Sequence, residues 1–206
     1  MKNTRFLFAT MLVAAWLGCG LAESNEQEQG PESLEMPADS TETAETAAGA
    51  PAYTIQVLNP DLPSPRKEMR GLIGPVSITI NYGSPSVKGR KIFGELEPFG
   101  KVWRTGANEA TTIEVSTDVL INGQPLAAGK YALFTIPGET KWTVIFNATA
   151  EQWGAYDYDE GKDVLRIEVD PVVKESSDEM LDFRIEGEQI VLSWDKTSVP
   201  FSVSQG

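Results

Sequence analysis

Histidine is absent from all 206 residues, and cysteine occurs once, at Cys19. The first absence removes Ser-His-Asp and Cys-His catalysis and every His-ligated zinc or iron centre. The second removes internal disulfides, because a lone thiol has no partner. Positive charge is also scarce: 17 Lys and Arg stand against 30 Asp and Glu, a formal net of −13. Nucleic acid demands a basic footprint and is not expected as a partner. Adhesion to anionic lipid by charge alone is equally disfavoured. No glycine loop has phosphate-binding spacing, and no cofactor is expected. Chemistry, if any, is left to carboxylates, Tyr, Lys, Arg, Ser and Thr.

What is present begins with an address. Lys2 and Arg5 precede the apolar run Phe6 to Leu17, and Gly18-Cys19 closes it. A basic start and an apolar stretch too short to span a bilayer comfortably read as a signal peptide over 1–19. The end resembles a bacterial lipobox, in which Cys19 receives a diacylglycerol, with Trp16 in place of the usual Leu. Lipidation of Cys19 and a membrane partner are therefore expected; ordinary cleavage near Ala22 is the alternative. From Gly20 to Ala52 there are eight acidic residues, no basic one and no aromatic. Such a segment buries too little apolar surface to offset its ordering entropy. It is expected to be a disordered tether, longer than the roughly 30 Å coil dimension because its like charges repel. Asn59-Pro60-Asp61-Leu62-Pro63-Ser64-Pro65 is read as an extended entry, which gives a tether and entry over 20–61 and one domain over 62–206. From Tyr53 onward 15 cations face 22 anions, a net of −7.

Short alternating runs fill that domain. Val76 to Tyr82 puts Val76, Ile78, Ile80 and Tyr82 on one face and stops at Gly83-Ser84-Pro85. Thr111 to Ser116, Val119 to Ile121, Tyr131 to Ile136 and Trp142 to Phe146 follow as a meander, with Asn122-Gly123 and Pro137-Gly138 as turns. Val164 to Val169, Met180 to Ile185, Ile190 to Trp194 and Val199 to Val203 complete about nine strands. With no helical stripe longer than two turns, the fold class is all-β, an antiparallel sandwich or jelly roll.

The glycine-punctuated stretch from Gly89 to Ala110 holds the first candidate site. Trp103, Arg104, Asn108 and Glu109, with Arg90 nearby, offer a stacking face, a guanidinium fork, an amide and a carboxylate. Gly106 and Ala107 between them are expected to let a ligand approach the backbone. The competing reading makes Trp103 a core cap and pairs Arg104 with Glu95, Glu97 or Glu109. Those three carboxylates also raise an acid–base pair acting on a saccharide. A weaker candidate is a cation site: Asp157, Asp159 and Asp163 fall at positions one, three and seven around Gly161, without the terminal Glu of an EF-hand. An acidic solvated connection, carrying aromatic packing from Trp153, Tyr156 and Tyr158, is the simpler account of that run.

Four blocks carry a family likeness: Ser84 to Gly94, Val102 to Thr111, Leu126 to Tyr131 and Trp142 to Asn147. They resemble the envelope proteins grouped as domain of unknown function 2911, over roughly Leu62 to Val203. The resemblance implies a secreted or lipid-anchored bacterial β-sandwich with no assigned reaction, so it transfers no catalytic residue. Three functions stay open. One is an extracytoplasmic binding or accessory module with an envelope glycan or peptide as ligand. The others are a carboxylate-dependent hydrolase and a passive subunit of an envelope complex.

Overall fold

The computed structural model describes residues 52–206. Cys19, the expected signal segment and the tether up to residue 51 lie outside the described residues. Eleven strands occur among the described residues: β1 (Tyr53–Val57), β2 (Arg66–Ile73), β3 (Val76–Gly83), β4 (Thr111–Val115), β5 (Val119–Ile121), β6 (Gln124–Leu126), β7 (Gly129–Ile136), β8 (Trp142–Asn147), β9 (Asp163–Val169), β10 (Val172–Glu186) and β11 (Gln189–Gln205). One 3₁₀ turn, Glu160–Lys162, precedes β9. They form an antiparallel sandwich of two sheets, with orders β1-β2-β3-β4-β7-β8-β9 and β10-β11-β5-β6.

Period-two alternation builds the core. Met69, Ile78, Ile80, Tyr82, Ile113 and Leu133 are buried from the larger sheet, as are Leu181, Phe183, Leu192, Phe201 and Val203 from the smaller. At roughly 25 cal/mol per Å² of apolar surface, these two inner faces supply most of the driving force for folding. The expected meander holds for β4, β7, β8 and β9, but the β5-β6 hairpin at Asn122-Gly123 leaves it and pairs with β11. β11 joins two ladders: its first part pairs with β10 as far as Ser198, and Val203 onward pairs with β5. Pro200, which has no N–H to give a ladder, falls in the gap between them. A left-handed Asp195 (φ 50°) bends the same strand.

Eleven strands replace the nine expected from sequence. β1 lies at 53–57, within the segment read as tether and entry, and pairs along its length with β2. β2 was hidden by its charge: Lys67 occupies an inward position beside Met69 and is neutralised there by Asp182 at 2.6 Å, which also accepts from the Tyr82 hydroxyl at 2.9 Å. The two final expected strands are one continuous β11.

Candidate functional site

The long connection from Ser84 to Ala110 folds into one end of the sandwich. Trp103 is 3% exposed, and its backbone bridges Thr135 on β7 through hydrogen bonds of 2.7 and 2.9 Å. Its indole stacks on Trp194 at 5.8 Å and 20°, while Phe93 stands edge-on to Trp103, Trp142 and Trp194. The indole N–H donates to the Gly106 carbonyl at 3.2 Å. Trp103 is thus a core residue and no part of a ligand surface, which corrects its expected role. The glycine has a different purpose as well: a Cβ on Gly106 would stand 2.9 Å from the Gly83 carbonyl oxygen, and one on Gly83 would stand 2.1 Å from the Ala107 oxygen. Backbone approaches backbone here, and no room for a ligand is left. Thr105, fully buried in the left-handed region (φ 56°), donates to the Thr135 hydroxyl and accepts from Thr111 through its carbonyl.

The other residues of that candidate are separated. Asn108, also left-handed (φ 64°), accepts from the Gly154 N–H through its carbonyl, and its amide reaches the Ser64 carbonyl at 3.5 Å. Arg90 donates to the Val87 and Ser86 carbonyls. Arg104 is half-buried, and its Nε is buried without a hydrogen-bond partner among the described residues. Near it, burial pushes the Glu97 carboxyl up to about 7, against the pull of Arg104 and then Arg90. Glu95 is exposed and pairs with Lys91 at 3.2 Å. Glu109 belongs to a different place again.

Glu109 lines a cleft of about 400 Å³ on the outer face of the larger sheet, with Arg66, Asn81, Thr112, Lys130, Glu151 and Gln152. Alternation puts them there. Met69 points inward on β2, so Arg66 points out; Ile80 and Tyr82 point inward on β3, so Asn81 points out. Thr112 is the register partner of Asn81, and Lys130 is the outward neighbour of inward-packed Tyr131. The connection after β8 supplies the far wall and is pinned by Ala110 N–H to the Gln152 carbonyl at 3.0 Å and by Gly154 N–H to Asn108. Beneath it, Ala110, Ala132, Phe134 and Ile145 form a small outer core, with Tyr158 edge-on to Phe134 at 5.0 Å.

The electrostatics of the cleft are balanced. Arg66 lies 3.6 Å from Glu109, and Lys130 lies 2.9 Å from Glu151. The first pair attracts but is too long for a hydrogen bond, and the Arg66 Nη1 is buried with no hydrogen-bond partner among the described residues. Desolvation weakens the hold of Arg66 on its charge, and Glu109 opposes that. Gln152 donates from Nε2 to the Thr149 carbonyl at 2.7 Å, while its Oε1 is buried without a hydrogen-bond partner among the described residues. The hydrogen bond and charge of Lys130 hold the Glu151 carboxyl below the usual range, the opposite of what a general acid needs.

Elsewhere the candidates separate or prove structural. No group of three or more metal-ligating side chains occurs among the described residues, so Asp157, Asp159 and Asp163 do not assemble as a cation site. Asp159 caps the 3₁₀ turn by accepting from Gly161 N–H, and Asp163 accepts from Asn147 and Tyr158 and is ion-paired with Arg166 at 3.3 Å. A Ser–Lys contact also exists, Lys174 Nζ to Ser193 Oγ at 2.6 Å. Asp178 accepts from both, so the Ser193 proton is already directed at a carboxylate, and Ser193 is fully buried; this hydroxyl is no nucleophile.

The fold and cleft define an antiparallel β-sandwich with a polar site on the outer surface of one sheet. Residues 64–203 match the family described as Protein of unknown function (DUF2911), and the chain belongs to that family. No curated protein and no solved structure matches the chain.

Proposed function

We propose that this protein is an extracytoplasmic binding module, held at a bacterial membrane through lipidated Cys19, which takes a small polar ligand in the cleft between Arg66, Glu109, Lys130 and Gln152. The observation that carries this reading is the pair of buried polar atoms on cleft-lining residues, Arg66 Nη1 and Gln152 Oε1, neither with a hydrogen-bond partner among the described residues. A buried donor and acceptor left unmade cost about 1–3 kcal/mol each, and a ligand that satisfies both recovers that cost on binding. The volume falls in the ~300–1,000 Å³ range of small-molecule sites. Glu95, Glu97 and Glu109 lie in three separate surroundings, and Glu151 is held ionised by Lys130, which supports recognition over hydrolysis.

A thermal-shift screen of the full chain against amino acids, dipeptides and oligosaccharides tests the proposal. A ligand at 100 times its Kd raises stability by about 2.7 kcal/mol. The shift is expected to vanish in Gln152→Ala and to shrink in Arg66→Met. A screen in which no compound shifts the wild type, or in which the shift survives both substitutions, contradicts the cleft. For the anchor, mass spectrometry of the membrane-extracted protein is expected to find diacylglycerol on residue 19; an unmodified chain starting after Ala22 contradicts it.

A further inference from the structure

The turn after the cleft wall carries two aromatic side chains that the core does not use. Trp103, Trp142 and Trp194 are at most 3% exposed, whereas Trp153 is 58% exposed and Tyr156 84%. Leaving an indole in water sacrifices one of the largest burial gains any side chain offers. The turn is nevertheless well fixed. Glu109 and Trp153 form an isolated antiparallel bridge, which sets their Cα atoms roughly 5 Å apart. Gly154, left-handed at φ 66°, donates to the Asn108 carbonyl, and a Cβ there would come to 3.0 Å from the Tyr156 ring. The glycine therefore lets the Tyr156 ring lie against the turn. Trp153 adjoins two residues of the cleft, Gln152 in sequence and Glu109 across the bridge.

We infer that the cleft and this aromatic turn together bind a neutral saccharide, with Trp153 as the stacking platform for a sugar ring; the inference rests on the cleft being a ligand site. Charge selects the class. Both cations of the cleft already face carboxylates, Arg66 with Glu109 and Lys130 with Glu151, so the site has no net charge to offer an ionic ligand. Paired charges beside Asn81, Thr112 and Gln152 supply both donors and acceptors, which matches hydroxyl groups, each both donor and acceptor. The apolar face of a pyranose covers the exposed indole, while its equatorial hydroxyls reach Gln152 Oε1 and the Arg66–Glu109 fork. Recognition through one ring face and a rim of hydrogen bonds needs no metal and no titrating group.

Calorimetric titration of the full chain with neutral cello-, malto-, xylo- and chito-oligosaccharides of five or six rings tests this, with glutamate and succinate as ionic probes. One neutral series is expected to bind. Trp153→Ala then weakens it about tenfold or more, Trp153→Phe restores most of the affinity, and Gln152→Ala weakens it independently. Melting of Trp153→Ala at the wild-type temperature shows that the loss is one of recognition. If glutamate or succinate binds with sensitivity to Gln152→Ala but not to Trp153→Ala, the saccharide inference falls and the cleft stands. A neutral saccharide that binds equally well to Trp153→Ala also overturns it. If no saccharide binds, the saccharide inference falls; the cleft falls with it only if the amino acids and dipeptides of the thermal-shift screen are also silent.

Discussion

Two segments of this chain each set a tryptophan close to a Gly-Ala pair, and the fold uses them in opposite ways. At Trp103 to Asn108 the indole is sealed between the sheets, a hydroxyl ladder from Thr105 to Thr135 and Thr111 satisfies the interior, and the glycine admits another stretch of backbone. At Trp153 to Tyr156 the indole and phenol face water, and the glycine admits only the neighbouring ring. The contrast is set by what arrives from far along the chain. Gly83 and Thr135 close over the first segment and Phe93 and Trp194 pack against its ring, whereas the described residues leave the rings of the second exposed. Local composition announces that a segment is specialised; distant strands decide whether it is sealed in the interior or left facing water.

The largest expected effect lies in the interior segment. Trp103→Ala should cost about 3–5 kcal/mol, as removal of a buried aromatic does, seen as a fall in the urea midpoint with an unchanged slope. A cost below about 1 kcal/mol would erase the distinction between the segments. Gly83→Ala should cost about 1–3 kcal/mol by forcing its Cβ away from the Ala107 carbonyl, read from the same melts. An unperturbed midpoint would mean the two backbones are not in close approach.

Glu97 gives a pH signature to the interior side. Its carboxyl is raised from 4.5 to about 7 by burial, so between those values the folded chain keeps a proton that the unfolded chain has released. Stability should therefore fall as pH rises through that window, by about 3 kcal/mol for a fully buried carboxyl and by on the order of 1–2 kcal/mol once solvent screening of this partly exposed one is allowed for, and level off above about 7. Comparing melts at pH 5 and 8 checks the sign, and Glu97→Gln should flatten the difference; an unchanged difference assigns it to other groups. The smallest effect belongs to the exposed segment: Trp153→Ala should change stability by no more than about 0.5 kcal/mol. A loss comparable to that of Trp103→Ala would make the turn a structural element.

The sandwich was legible because alternation is a local property. Val76 to Tyr82 and Trp142 to Phe146 display their inner faces without help from the rest of the chain. β2 was not, since an inward Lys67 reads as solvent-facing until Asp182 is known to lie opposite. The same limit governed the site. Trp103 and Arg104 drew attention as neighbours in sequence, yet only Glu109 of that candidate set lines the cleft. Arg66, Asn81, Lys130 and Gln152 come from separate strands and one connection, and no spacing in the sequence brings them together. Trp153 is visible in the sequence as an aromatic in an acidic run, but beside Asp157, Asp159 and Asp163 its pattern implies only a packing role.

Indole N–H resonances of the ¹⁵N-labelled full chain, followed during titration with the neutral oligosaccharide that binds, test the contrast most directly. The account predicts that the Trp153 resonance moves in proportion to occupancy, while those of Trp103, Trp142 and Trp194 stay in place. Movement of the Trp103 resonance with Trp153 unchanged would put the ligand at the other segment and contradict it.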